Sequence, residues 1–168
     1  LNNNTSYQSS ALIGEDIPIV SNSQTGRMGE QLAKQYLWAC ALENGIRRIE
    51  WCNEVEEQGL PYDLIVTLQD GSKKLAEVKT RSSRHAVIHQ TWPLSVAEVG
   101  HAQRYPEYFL ILFSLQIDYG KKTFHVPKAL VVGWQEGLAE SLRHAQHARL
   151  LIRVQDEQAG DGKHQDEE

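Results

Sequence analysis

Cysteine is scarce in this chain: Cys40 and Cys52 are the only two in 168 residues, and they show no CxxC or other ligand spacing. A disulfide framework or a thiolate metal site is therefore not expected, and both read as buried, reduced thiols of an intracellular protein. No apolar run approaches the roughly 20 residues that a membrane-spanning helix needs, so no membrane partner is expected. A secretory signal pattern is lacking, and the start at Leu1 reads as an excision from a longer protein whose other domains would be partners. Internal repeats, a Walker-type glycine loop and a nucleophile elbow are absent. So is a helix-turn-helix or zinc finger that would offer a ready nucleic-acid recognition element. His85 and His89 stand four apart and His144 and His147 three apart, but nothing nearby completes a zinc set.

A surplus of charge is missing too, once the ends are set aside. The formal charge is -5, yet residues 155–168 alone hold six acids and one lysine, and residues 1–25 hold Glu15 and Asp16. The remainder is close to neutral with a slight basic excess, which permits a nucleic-acid partner without demanding one. What is present is a globular composition, 40% hydrophobic, in a length suited to one domain with a proper core. Residues 1–24 are rich in Asn, Ser and Gln and read as linker or disorder. Residues 25–154 read as the domain, and residues 155–168 as a disordered acidic tail.

Along the domain, Met28, Leu32, Tyr36, Leu37 and Cys40 recur at helical spacing, so a helix is expected from Gly26 to about Glu43, closed by Asn44-Gly45. Glu30 borders its apolar stripe near the start. It suits the helix dipole there, and it could also lean toward a site, with Gly29 beside it allowing close backbone approach. A short strand is expected over 47–53, then a polar connection over 54–59. After a basic, aperiodic stretch from Arg81 to Thr91, Trp92-Pro93 is expected to break the chain. Ser95 then caps a second helix, with Glu98 completing a capping box. His101, Gln103 and Arg104 ride on that helix. Tyr108 to Leu115 is a near-continuous apolar run, as in a strand covered on both faces. An antiparallel partner at 121–126, an edge strand at 129–132, a helix at 135–149 and a last strand at 150–154 complete the expectation.

The informative stretch is a hairpin. Leu60 to Leu68 and Lys73 to Thr80 both alternate with period two, and Gln69-Asp70-Gly71-Ser72 lies between them as a turn. Asp63, Glu77 and Lys79 sit among residues that otherwise look buried, where charges are costly unless paired or metal-bound. A two-residue Asp70-Gly71 turn would throw the two acids onto opposite faces. A three-residue loop with Gly71 left-handed sets Leu68 against Ser72 and Asp63 against Glu77, so that loop is expected. Clustered carboxylates suit Mg2+ or Mn2+, hard ions that prefer oxygen ligands. Lys73, Lys74, Lys79, Arg81 and Arg84 gather on and just after the hairpin, either as a solvated strand end or as a phosphate-steering patch.

Asp63 after Pro61-Tyr62, followed by Glu77-Val78-Lys79, resembles the signature of the PD-(D/E)xK, or restriction-endonuclease-like, nucleases. The flanking glutamate helices, at Gly26-Arg27-Met28-Gly29-Glu30 and Leu94-Ser95-Val96-Ala97-Glu98, extend the resemblance over about Thr25 to Leu115. The whole layout is similar to the nuclease-like domain at the C-terminus of the plant protein NO VEIN and its relatives. That resemblance implies an α/β fold: a restriction-endonuclease-like core in αβββαβ order, with a mixed sheet flanked by helices and extra strands and a helix at the C-terminal end. It implies a metal-dependent phosphodiesterase acting on DNA or RNA. Asp63 and Glu77 would be metal ligands with the Val78 carbonyl as a third, Lys79 the catalytic lysine, and Glu30 would complete the shell. Lys73, Lys74, Arg81, Arg84 and Arg104 would contact nucleic acid. The competing expectation is a degenerate nuclease fold that binds nucleic acid or a protein without cutting.

Overall fold

The structure, a computed structural model, describes residues 22–83, 91–118, 123–142 and 148–151. Its elements in chain order are α1 (Asn22–Ala39), β1 (Ile46–Trp51), β2 (Leu64–Leu68), β3 (Lys73–Ser83), β4 (Thr91–Leu94), α2 (Val96–Arg104), β5 (Tyr108–Asp118), β6 (Thr123–Val132), α3 (Ala139–Leu142) and β7 (Ala148–Leu151). Five strands form a mixed sheet in the order β1-β2-β3-β5-β6, while β4 and β7 pair separately. Among the described strands only β3 and β5 pair in parallel, and α2 lies in the connection between them, since parallel neighbours require a crossover.

The apolar run of β5 explains the layering. Phe109, Ile111, Phe113 and Leu115 join Met28, Leu32 and Leu37 of α1 in one core. Tyr108, Leu110 and Leu112 enter a second core with Trp92, Leu94, Val99 and Leu138 on the other face. A strand with both faces covered needs no alternation, which is why this one reads as a continuous apolar stretch.

The hairpin loop is the three-residue one. Gly71 has φ 85, its N–H donates to the Leu68 carbonyl, and the Leu68 N–H donates to Ser72. The ladder then runs Thr67↔Lys73 to Leu64↔Ala76, the register that loop dictates. It stops there. The Asp63 N–H also donates to the Ala76 carbonyl, at 2.8 Å, so Asp63 is drawn back onto Ala76 and is not a ladder partner of Glu77. Its carboxylate instead accepts from the Val78 N–H at 2.8 Å, the donor that a further β2 residue would otherwise have satisfied.

Several other expectations change. The first helix begins at Asn22, inside the stretch read as linker, and ends at Ala39. From Cys40 the chain winds through turns, where Asn44 donates to the Cys40 carbonyl and Gly45 takes φ 61. Trp92-Pro93 does not break the chain but lies in β4, whose alternate residues Trp92 and Leu94 are buried. The basic stretch after Thr80 continues β3 as far as Ser83. The two short strands foreseen at 121–126 and 129–132 are a single β6, with a ladder irregularity opposite Ser114–Gln116. Pro127 falls in that gap, where its missing N–H costs no ladder bond. The helix foreseen at 135–149 starts later, at Ala139, after a left-handed Gly137 (φ 70) that packs against the Pro106 carbonyl. It is described to Leu142; residues 143–147 lie outside the described residues, and Ala148 is already in a strand. The last strand is Ala148–Leu151, paired with β4. Arg84, His85, His89, His144, His147, the acidic tail and nearly all of the N-terminal stretch lie outside the described residues. No helix among the described residues is long and apolar enough to cross a membrane.

Two glycines carry the geometry and make it testable. A Cβ on Gly29 would collide with the side chain of Thr80, whose own Cβ would lie 2.8 Å away, so glycine is what lets α1 lie on β3. Gly29→Ala should cost about 1–3 kcal/mol by overpacking. Gly71→Ala meets open space and should lose only about 1 kcal/mol through its backbone. Urea denaturation that ranked the two in the opposite order would refute this account of the packing.

Candidate active site

Alternation along β3 sends Ala76 and Val78 into the α1-side core and leaves Glu77 and Lys79 on the face that meets α2. Glu77 is only 7% exposed, so its carboxylate has left water almost completely. The Lys79 Nζ lies 2.8 Å from Glu77 Oε1 and 2.8 Å from Glu98 Oε1. Glu98 does two things at once. Its Oε2 accepts from the Ser95 N–H at 2.9 Å, closing the expected capping box of α2, while its Oε1 holds the lysine. One carboxylate therefore both caps α2 and contacts Lys79.

Asp63 enters from the start of β2, with Oδ2 on the Val78 N–H and Oδ1 accepting from Asn53 Nδ2 at 3.0 Å. Asn53 also reaches Glu30 Oε2 at 3.2 Å, and Trp51 Nε1 donates to the same oxygen at 2.6 Å. Glu30 thus leans toward the hairpin, as its place on the helix border suggested, and Asn53 is the bridge. A line of polar side chains runs from α1 across the ends of β1 and β2 to β3 and α2. Asn53 and Trp51 were not singled out in the sequence, where they are the end of an ordinary strand. Asn53 is buried to 4% exposure, and a lone amide carries no signal of that.

The electrostatics follow from burial. Desolvation pushes Glu77 up to about 8, with the Asp63 charge adding to it and Lys79 opposing. Desolvation likewise raises Asp63 to about 7; the Val78 N–H opposes this and the Glu30 charge adds to it. Burial would pull Lys79 down, but Glu77 and Glu98 outweigh it and leave its pKa raised. Burial would raise Glu98, yet the hydrogen bonds from Lys79 and Ser95 bring it below the ordinary value. Tyr108 is fully buried beside these acids, and burial first, then their charges, raises it strongly. It stays a phenol and donates to the Pro61 carbonyl at 2.9 Å.

Of the basic residues expected to meet nucleic acid, Arg84 lies outside the described residues and the others have separate surroundings. Lys74 donates to the Trp134 carbonyl at 2.7 Å and sits over that indole, and Arg81 donates to the Thr91 carbonyl. Lys73 is exposed at the loop end of the hairpin, and Arg104 is exposed at the end of α2. Gln103 is tied to the Leu142 carbonyl.

Comparison with known proteins meets this geometry at one point. The profile of the family described as Protein NO VEIN, C-terminal, matches residues 29–126, more than half of the chain and inclusive of every acid and lysine of the site. The chain belongs to the NO VEIN C-terminal family. It is 30% identical over 129 residues to Protein NO VEIN-LIKE of Arabidopsis thaliana, a match covering 77% of this chain and 17% of that protein. It is 40% identical over 60 residues to Protein NO VEIN of the same plant, covering 36% of this chain and 2% of that protein. The chain therefore matches a small part of the length of these NO VEIN proteins. No solved structure matches it.

The raised carboxyls set a sign for pH dependence. Both folded values, about 7 for Asp63 and about 8 for Glu77, exceed the ordinary 3.8 and 4.5. The folded state thus holds protons that the unfolded state has released, so the stability these groups contribute is full at acid pH and is lost as pH rises toward about 8. In chelator-treated protein, Asp63→Asn and Glu77→Gln should each gain stability relative to wild type as pH rises through that window. Parallel pH profiles for wild type and both variants would exclude this electrostatic picture.

Proposed function

We propose that this NO VEIN C-terminal domain is a metal-dependent phosphodiesterase of the PD-(D/E)xK class, acting on DNA or RNA within a larger protein. One observation carries the reading. Two mutually repelling carboxylates, the half-buried Asp63 and the buried Glu77, lie next to a lysine that contacts Glu77. Proteins seldom retain such an arrangement for stability, since one ammonium cannot offset several desolvated acids. The order of helix, three-strand meander, helix and parallel strand also supports a restriction-endonuclease-like core.

The residues present fit a hard divalent cation. All side-chain ligand atoms are carboxylate oxygens, and a doubly charged partner would let Asp63 and Glu77 ionise together. Asp63, Glu77 and the Val78 carbonyl would hold Mg2+ or Mn2+, with Glu30 acting directly or through water. A bound cation would supply charge neutralisation at the phosphoryl oxygens and make a water more acidic. The chain's own contributions are distinct. The Val78 N–H and Asn53 fix the orientation of the Asp63 carboxylate. Glu77 and Glu98 hold the Lys79 ammonium in place and charged. From there Lys79 would orient the attacking water and stabilise negative charge as it develops on the phosphoryl group.

A second reading, a binding module that retains the fold without cutting, is favoured by the same lysine. Its ammonium is engaged by two carboxylates, and among the described residues no group of three or more His, Cys, Asp or Glu stands assembled to hold a metal ion.

Metal titration separates the two. Mg2+ or Mn2+ should raise the melting temperature of the wild type, and Asp63→Asn should abolish that response while leaving the chain folded. Lys79→Gln should keep the metal response and lose cleavage of single- and double-stranded DNA and RNA, because the lysine acts in the transition state. Salt-dependent nucleic-acid binding with no metal response and no product from any of these substrates would establish the binding module instead.

A further inference from the structure

Beside the acidic centre lies a group of aromatic rings that the proposed chemistry does not use. His101 on α2 and Tyr105 at its C-cap stack with centroids 4.2 Å apart and an interplanar angle of 29°. The His101 ring also meets Tyr62 at 5.4 Å and Tyr108 at 5.5 Å, both tilted. The innermost ring, Tyr108, is fully buried, whereas Tyr105 is 44% exposed. The rings therefore descend from solvent to the core, ending on groups that adjoin the centre. Tyr62 precedes Asp63 in the chain, and Tyr108 donates to the carbonyl of Pro61.

His101 is the unusual member. Its Nε2 is buried and has no hydrogen-bond partner among the described residues. Burial, and then the charge of Arg104, lower its pKa and favour the uncharged ring, whose flat face meets the neighbouring aromatics. Two stacked rings that leave the outer one half in water form an unfinished stack. An added planar π-system would extend it, and Arg104, exposed and near enough to His101 for its charge to act on that ring, offers a cation to an anion attached to that system.

We infer that Tyr105, supported by His101 and Tyr62, is a stacking platform for an unpaired base, and that the substrate of this domain is single-stranded nucleic acid or a frayed end. This rests on the nucleic-acid reading above and narrows it. A planar base joined to a phosphate satisfies both the open ring face and the neighbouring guanidinium. Bases within a duplex are stacked on each other and do not present a free face, so a paired substrate would leave the platform empty.

The test is equilibrium binding of fluorescein-labelled oligonucleotides to the Lys79→Gln protein, which should not cut them. A 12-mer of oligo-dT, a 12-mer of oligo-U and a blunt 12-base-pair DNA duplex would be compared at fixed salt. Tyr105→Ala should weaken both single-stranded probes roughly five- to 100-fold, Tyr105→Phe should retain the affinity, and the duplex should be bound more weakly and be unaffected by either change. Loss with one single-stranded probe alone would support the platform and decide between DNA and RNA. The metal-induced rise in melting temperature should be the same in all Tyr105 variants, which also confirms their folding. Equal single-strand affinity for Tyr105→Ala and its parent, or tightest binding of the duplex, would overturn the platform while leaving the nuclease reading in place. No binding of any probe by the parent would overturn both.

Discussion

The burial of the Glu77 carboxylate is the constraint on which much of this domain depends. A strand that must enter the sheet centre with an acid on its inner face requires that charge to be matched nearby, because desolvating it alone costs several kcal/mol. Lys79, two residues on and on the same face, supplies the first match at 2.8 Å. The lysine is itself withdrawn from water and needs more than one acceptor, which brings in Glu98 from α2. Because Glu98 also caps its helix, the start of α2 is fixed relative to the middle of β3. Charge pairing and helix placement are thus one interaction.

A second consequence lies at the edge of the hairpin. Had β2 continued two residues further back along the ladder, the Val78 N–H would have been satisfied by backbone and no carboxylate would have been needed there. Instead the ladder ends at Leu64↔Ala76, and the side chain of Asp63 takes over that donor. The early end of the strand therefore turns an ordinary β residue into a fixed carboxylate beside Glu77. Asn53 holds the other oxygen and links it to Glu30 on the opposite layer. One residue before Glu30, Gly29 lets α1 approach Thr80 of β3 closely, which brings the two layers together here.

Much of this was legible in the residues, and the limits have physical causes. The hairpin loop could be read because only one loop length puts both acids on one face and glycine at a left-handed position. The close approach at Gly29, the capping box at Ser95 and the doubly covered strand at Tyr108 followed from local rules of the same kind. The direct opposition of Asp63 and Glu77 did not hold, since the register was right but the point where pairing stops depends on what the side chain can bond. Asn53 and Trp51 escaped notice because their roles come from tertiary proximity to Glu30, not from spacing. The helix expected after Trp134 starts only at Ala139, because Gly133 and Gly137 take left-handed conformations and Gly137 packs against Pro106. Spacing also gave no sign that Lys74 and Arg81 are bonded to backbone carbonyls, since those acceptors lie further along the chain.

The balance of charge at the centre narrows what the domain can do. Glu77 and Glu98 hold the single ammonium of Lys79, Asp63 feels its charge, and Glu30 adds its own charge at Asp63, so the centre is acidic unless something else binds. Three kinds of partner can relieve that excess: protons, which the raised values of Asp63 and Glu77 show are readily taken up; more cationic side chains, which the described residues do not bring here; or a divalent cation. A phosphodiester is itself an anion and would be repelled by the ionised acids, at distances where screening by salt is weak. Under the proposed reading, cation binding must therefore come before or with the substrate, and Lys79 alone could not compensate for its absence. An aromatic platform beside such a centre is a consistent complement, because stacking holds a base without adding charge and leaves the electrostatics to the cation and the phosphate.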